Sequence, residues 1–323
     1  MKFRRMALGA ALAVTLVTAA ACGGSSGSDD GGGDDTYSVG IVRFAPSEVT
    51  TEAAINSYSK LAKDAGWTVT TANPDASVDK AISSMQDFVQ KKVDLIIVSV
   101  FDSKSLTAGL KSAEAAGIPV ASIAGGAADG ITYDMVVSNG VSVVEQMVKD
   151  TGGKGKLLAL GYKPGLPCQI REQALDDALA KTTITEDRQE VLIPGQLESG
   201  QKFATTWLAK NPKGSEPLAI WACFDDPAMG AVVAAKQAGR DDVMIYGYDG
   251  TPAGIKALKD GTLRATAAPD TAAAAKILFE ASPDIIKGGP SADPQTTEIP
   301  YTLITSDTVA DYLKDHPGAD SSS

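Results

Sequence analysis

The stretch DLIIVSVFD at residues 94–102, then helical spacing over 103–116 and GIPV at 117–120, decides the fold. After Asp94, residues 95–98 are a continuous apolar run, too short for a buried helix and rich in β-branched side chains, so 94–98 reads as a strand covered on both faces. A helix and a second such strand complete a βαβ unit, which implies a parallel sheet.

The same reading extends outward in both directions. Upstream, YSVGIV at 37–42 is a first strand, 47–65 is helical, Gly66 and Trp67 end that helix, TVTT at 68–71 is a second strand, and 76–90 is helical again. Downstream, KLLAL at 156–160 opens a second cycle, with helices at 170–180, 201–210 and 227–238 and strands at 190–193, 217–221 and 243–246. The alternation predicts an α/β protein of two doubly wound, Rossmann-like parallel-sheet lobes joined by a hinge. A cleft should lie between them, faced by the C-terminal strand ends of both sheets. The lobes are expected at 36–138 plus about 269–294 and at 139–268 plus about 295–315, with a disordered tail at 316–323.

At the other end, Lys2, Arg4 and Arg5 precede an apolar run from residue 6 to 21 that closes on Ala19, Ala20, Ala21 and Cys22. This reads as a signal peptide over 1–21, since the run is short for a membrane span. It is similar to a bacterial lipobox with Cys22 as the lipidated residue, although Ala19 stands where that pattern carries Leu; plain secretion with cleavage near Cys22 is the alternative. A lipid on Cys22 would hold the chain on the outer face of the cytoplasmic membrane. Residues 23–35 are Gly, Ser and Asp alone, a flexible tether reaching roughly 20 Å.

Composition narrows the chemistry. Of 29 Lys and Arg, three sit in the leader, leaving 26 against 40 Asp and Glu and a net charge of −14, which disfavours a nucleic-acid partner. The single histidine, His316, lies in the polar C-terminal tail and reads as solvated. Histidine-based triads and zinc sites are therefore not expected in the body, nor is any cofactor or metal.

Several segments together resemble the type 1 periplasmic binding proteins of the ribose and galactose group. DLIIVSVFD and AAGIPV at 115–120 look like that family's third and fourth strands; REQAL at 171–175, DDPAMG at 225–230 and YGYDGTP at 246–252 are similar to its later motifs in the same order. Repressors with this fold carry a DNA-binding helix-turn-helix where this chain has a leader and tether. The resemblance implies a hinged pair of lobes closing on one small molecule, a sugar being favoured, and docking on the permease of an ABC importer. A monomer is expected.

The resemblance also supplies candidate ligand residues. Arg171 falls on an arginine that holds sugar hydroxyls, and Asp249 on the family's ligand aspartate. Asp102 and Asp225 stand at helix starts, where capping competes with a ligand role. Phe44, Phe101, Tyr162, Phe224 and Tyr248 fall at or just after strand ends and would give the cleft an aromatic lining; Arg43 and Glu48 bracket the first loop. There are departures from the pattern. Ala124 and Gly125 replace an Asp-Arg pair, Thr50 and Thr51 paired aromatics, Phe224 an asparagine and Pro269 a glutamine. Cys168 and Cys223 follow strands expected to be neighbours and would form either a disulfide beside the cleft or two buried thiols. Two other functions fit the residues less economically. One is a sensory binding protein docking on a membrane kinase or chemoreceptor. The other is an extracellular hydrolase using Asp102 with Asp225 or Asp249.

Overall fold

Ser38–Val42 (β1) is flanked by strands on both sides and is buried from Val39 onward, with the polar Ser38 half-buried at its start. The computed structural model describes residues 36–214 and 216–321, so the leader, Cys22 and the tether lie outside the described residues, as do 322 and 323. After β1 come Val49–Asp64 (α1), Thr68–Ala72 (β2), Val78–Gln90 (α2) and Leu95–Ser99 (β3). A 3₁₀ turn at Ser103–Leu106 leads into Thr107–Ala115 (α3), followed by Val120–Ile123 (β4) and Tyr133–Val136 (β5).

The chain then crosses to a second sheet. It runs through Val141–Thr151 (α4), Lys154–Gly161 (β6), Leu166–Leu179 (α5), Thr183–Glu190 (β7), Gln196–Lys210 (α6), Leu218–Ala222 (β8), Asp225–Gln237 (α7), Val243–Tyr246 (β9), Pro252–Lys259 (α8) and Ala265–Pro269 (β10). Thr271–Gly288 (α9) and Gln295–Glu298 (β11) return to the first lobe, and Tyr301–Thr305 (β12) with Val309–Asp315 (α10) ends in the second. The sheet orders are β11-β5-β4-β3-β1-β2 and β12-β10-β9-β8-β6-β7. Pairing is parallel throughout except for β12 against β10.

This is the two-lobed, doubly wound architecture that the βαβ pattern predicts. Three local expectations are corrected. The strand placed at 190–193 is instead Thr183–Glu190: it is an edge strand with mostly exposed side chains, so its polar sequence carries no apolar run. The last crossing falls between Glu298 and Tyr301 rather than at 294/295, because β11 pairs in register with β5. The tail is not free through residue 321: His316 stacks on Tyr312 with ring centroids 4.2 Å apart, and Asp320 pairs with Lys259 at 2.8 Å.

The lobes touch each other along the cleft. The Leu166 N–H donates to the Val100 carbonyl at 3.3 Å, and the Gln196 side-chain amide donates to the Ser47 carbonyl at 2.9 Å. Gln196 opens α6, which starts a full turn before the helical spacing at 201–210 suggests.

Candidate functional site

The C-terminal ends of β1, β3 and β4 in one lobe and β6, β8 and β9 in the other open onto a single cleft of about 700 Å³, its mouth included. Such edges collect ligands because the loops leaving them vary freely and the following helices point N–H groups inward. Of the candidates from sequence, the structure brings six to the lining: Phe44 and Glu48 from the first lobe, and Tyr162, Arg171, Phe224 and Asp249 from the second.

Arg171 sits in the first turns of α5 and is 3% exposed. Its Nη1 donates to the Cys223 carbonyl at 2.7 Å, its Nη2 donates to Asp249 Oδ1 at 2.9 Å, and its guanidinium lies 4.7 Å from the centre of the Tyr248 ring. Burial opposes the charge, but Asp249 more than offsets this and the pKa is raised. The Nε has no hydrogen-bonded acceptor, and the Tyr301 hydroxyl lies against the same guanidinium. A buried donor left open in a cleft is suited to a ligand oxygen.

Asp249 follows β9 with φ of 97°, a left-handed conformation that is unusual for a non-glycine residue. Val100 and Ala124, which also line the cleft, adopt φ of 66° and 63°. Burial raises the Asp249 pKa, and the adjacent Arg171 pulls it back. Across the cleft, Glu48 caps α1: its carboxylate accepts from the Thr50 and Thr51 N–H groups at 3.1 and 2.9 Å. Burial and the negative charge of Asp249 push its pKa up to about 7 despite those two bonds and a third from the Thr51 side chain.

The remaining candidates take structural positions, and each has a physical cause. Phe101 is buried behind Phe44, ring centroids 4.8 Å apart, and props it from below. Tyr248 is buried beneath Arg171; its hydroxyl donates to the Gly140 carbonyl at 3.0 Å and accepts from the Trp221 indole at 3.0 Å. Gly140 has φ of 68°, and a side chain there would strike the Tyr248 ring at 2.3 Å. Asp102 accepts the Lys104 N–H at 3.0 Å and so caps the 3₁₀ turn outside the cleft lining. Arg43 is drawn away onto α1, where it pairs with Glu52 and donates to Asn56 at 3.2 Å.

Asp225 is fully buried. It accepts from the Thr251 N–H and hydroxyl at 2.8 and 3.0 Å and from the Thr266 hydroxyl at 2.9 Å, stitching three strand ends together instead of capping its own helix. Burial and the charge of Asp249 push its pKa up to about 8. With Asp225 sealed and Asp102 engaged at a turn, the carboxylate pairs considered for hydrolysis are not assembled at the cleft. Cys168 lines the cleft and is joined to Cys223, the Cα atoms 5.2 Å apart, which holds the start of α5 against the end of β8.

The structure adds lining residues that the sequence reading did not select. Tyr301, Thr271 and Ile299 arrive on the two late lobe crossings, and Thr50, Thr51, Ala124 and Pro269 occupy the cleft at positions noted only as departures. Nothing in the local pattern around Tyr301 marks it; its role depends on a strand that returns antiparallel to β10.

Comparison with known proteins agrees with this geometry. The family described as periplasmic binding protein domain matches residues 41–290. The ribose import binding protein of Bacillus subtilis is 27% identical over 234 residues, covering 71% of this chain and 75% of that one. A xylitol-binding protein of Mycolicibacterium smegmatis is 27% identical over 235 residues, covering 70% of this chain and 66% of that one. An ABC sugar transporter subunit from Rhodobacter sphaeroides superposes with a TM-score of 0.77 at 26% identity, covering 84% of this chain and 98% of that one.

Proposed function

The chain belongs to the periplasmic binding protein family, of the two-lobed type 1 architecture, and from that premise we propose that it captures a small sugar or sugar-like polyol and delivers it to the membrane permease of an ABC importer. The observation that carries this reading is one cleft whose polar groups come from both lobes: Glu48 on one side, the Arg171–Asp249 pair on the other. A ligand touching both walls favours the closed form, because an open form forfeits half of those contacts. The Arg171 Nε and the two carboxylates offer a donor and acceptors to a polyhydroxylated molecule, while Phe44, Tyr162 and Phe224 offer apolar ring faces to its C–H surface.

Family membership carries with it an exported, extracytoplasmic protein. Attachment through a lipid on Cys22, a tether over 23–35 and a monomeric working form are part of our reading of the sequence. Among the described residues no helix is long and apolar enough to cross a membrane. Asp102, Phe101, Tyr248, Asp225 and Arg43 drop out of the ligand set; Arg171, Asp249, Phe44, Tyr162, Phe224 and Glu48 remain in it.

The test is thermal unfolding of chain stripped of carried-over ligand by unfolding and refolding, against a panel of pentoses, hexoses and polyols. A ligand at a hundred times its dissociation constant adds about 2.7 kcal/mol of stability, a shift of a few degrees. A shift from a sugar or polyol supports the reading; a panel that leaves the melt unchanged while a non-sugar ring compound moves it removes the sugar assignment.

A further inference from the structure

The cleft lining is unbalanced in charge. Of its described lining residues three are charged, and two of these, Arg171 and Asp249, neutralise each other at 2.9 Å. Glu48 is left with two backbone N–H donors, the Thr51 hydroxyl and no cation. Ala124 and Gly125, standing where the resemblance implies an Asp-Arg pair, bring neither charge to its aid.

We propose that the preferred ligand of this cleft carries a protonated amine, as an amino sugar or amino polyol does, with the nitrogen received by Glu48 and Asp249 from opposite walls. The proposal rests on the sugar-class reading above and narrows it.

Three features of the site converge on this. Glu48 and Asp249 belong to different lobes, so a cation bridging them is gripped only when the lobes close, and it relieves the repulsion that closure otherwise creates. Both lobes also give the cleft aromatic surface on which a cation can rest: Phe44 and Tyr162 line it and pack edge to face on each other across the lobe boundary, centroids 6.1 Å apart and planes 82° to one another. Independently of the carboxylates, the partnerless Nε of Arg171 calls for an acceptor on the same ligand, which the oxygen of a hydroxyl beside the amine provides. The groups that act on Glu48 are Asp249 on β9's loop, Tyr301 on β12 and the Thr51 side chain on α1, while the Arg171 charge is paired with Asp249; burial and Asp249 bring the Glu48 carboxyl to about 7, and an ammonium between Glu48 and Asp249 holds it ionised.

The experiment uses matched pairs on the stripped full chain: D-glucosamine and D-glucose, D-galactosamine and D-galactose, 1-amino-1-deoxy-D-sorbitol and D-sorbitol, with N-acetyl-D-glucosamine as an uncharged derivative. Titration calorimetry should show at least a tenfold preference for the amine in the pair whose hydroxyls fit, absent from the acetylated compound. Glu48→Gln, which keeps a carbonyl to cap α1, should erase that preference. Should the variant fold poorly, the wild type alone decides: between pH 7 and 5 amine affinity should fall toward tenfold per unit as Glu48 takes up a proton, while neutral-sugar affinity stays level. Neutral sugars binding as tightly as their amines, or an amine preference that survives both tests of Glu48, overturns the proposal and leaves the sugar-class reading intact. Silence from both members of every pair overturns the proposal together with the reading it rests on.

Discussion

The two walls of the cleft are built on different principles. On the second-lobe side Arg171 is fixed by a carbonyl, a carboxylate and a ring face, Tyr248 is tied to Gly140 and Trp221, and the disulfide and buried Asp225 lock the loops behind them. The first-lobe side has Phe44 resting on Phe101, left-handed turns at Val100 and Ala124, and Glu48 held by two backbone N–H groups. One wall is a socket whose polar groups are almost all satisfied before anything binds. The other supplies contacts that acquire value when the lobes meet. The contrast teaches that rigidity and selectivity in this cleft are assigned to different lobes.

The sharpest way to break the comparison is to pull the centre out of the socket. Arg171→Ala leaves Asp249 buried without its cation and facing Glu48, and should cost about 3–5 kcal/mol in denaturant unfolding along with all ligand-induced stabilisation. A loss under about 1 kcal/mol would mean that the second-lobe wall is not the prebuilt one. Asp225→Ala acts behind the same wall. It strands the Thr251 N–H and two hydroxyl donors, and should lower stability by about 2–3 kcal/mol in the same assay while every residue of the cleft lining stays in place.

The first-lobe wall is tested most gently, by pH. Glu48 and Asp225 both have pKa values raised on folding, to about 7 and about 8, so the folded chain holds protons that the unfolded chain has released. Their contribution is therefore favourable at low pH and is lost as pH rises from the ordinary carboxylate range through those values, levelling off above about 8. Glu48→Gln should flatten the part of this decline that ends near pH 7, read as melting temperature against pH. An unchanged slope would show that Glu48 titrates as an exposed carboxylate and that the wall is open.

How far the molecule was legible in its sequence follows from the same division. Central strands such as β3 and β8 are buried on both faces and announce themselves as apolar runs, whereas β7, at an edge, shows an alternation of polar side chains that no burial enforces. Arg171 and Asp249 were legible because each sits in a motif with a fixed place after a strand or at a helix start. Phe101, Tyr248 and Asp225 occupy the same kind of place, yet their side chains turn beneath the floor of the cleft instead of into it. Position along the chain gives the strand end but not which way the side chain leaves it. Tyr301 was invisible for another reason: it reaches the cleft through an antiparallel strand after the third lobe crossing, a contact set by topology alone.

The account's central claim is that a single small ligand is held by both walls at once, which makes closure and binding one event. Small-angle X-ray scattering on stripped chain, with and without the sugar, polyol or amino derivative that gives the largest thermal shift, tests this directly. The account predicts a smaller radius of gyration at saturation, and no decrease on adding the same compound to Arg171→Ala. A wild-type chain that binds to saturation with its radius unchanged would contradict it.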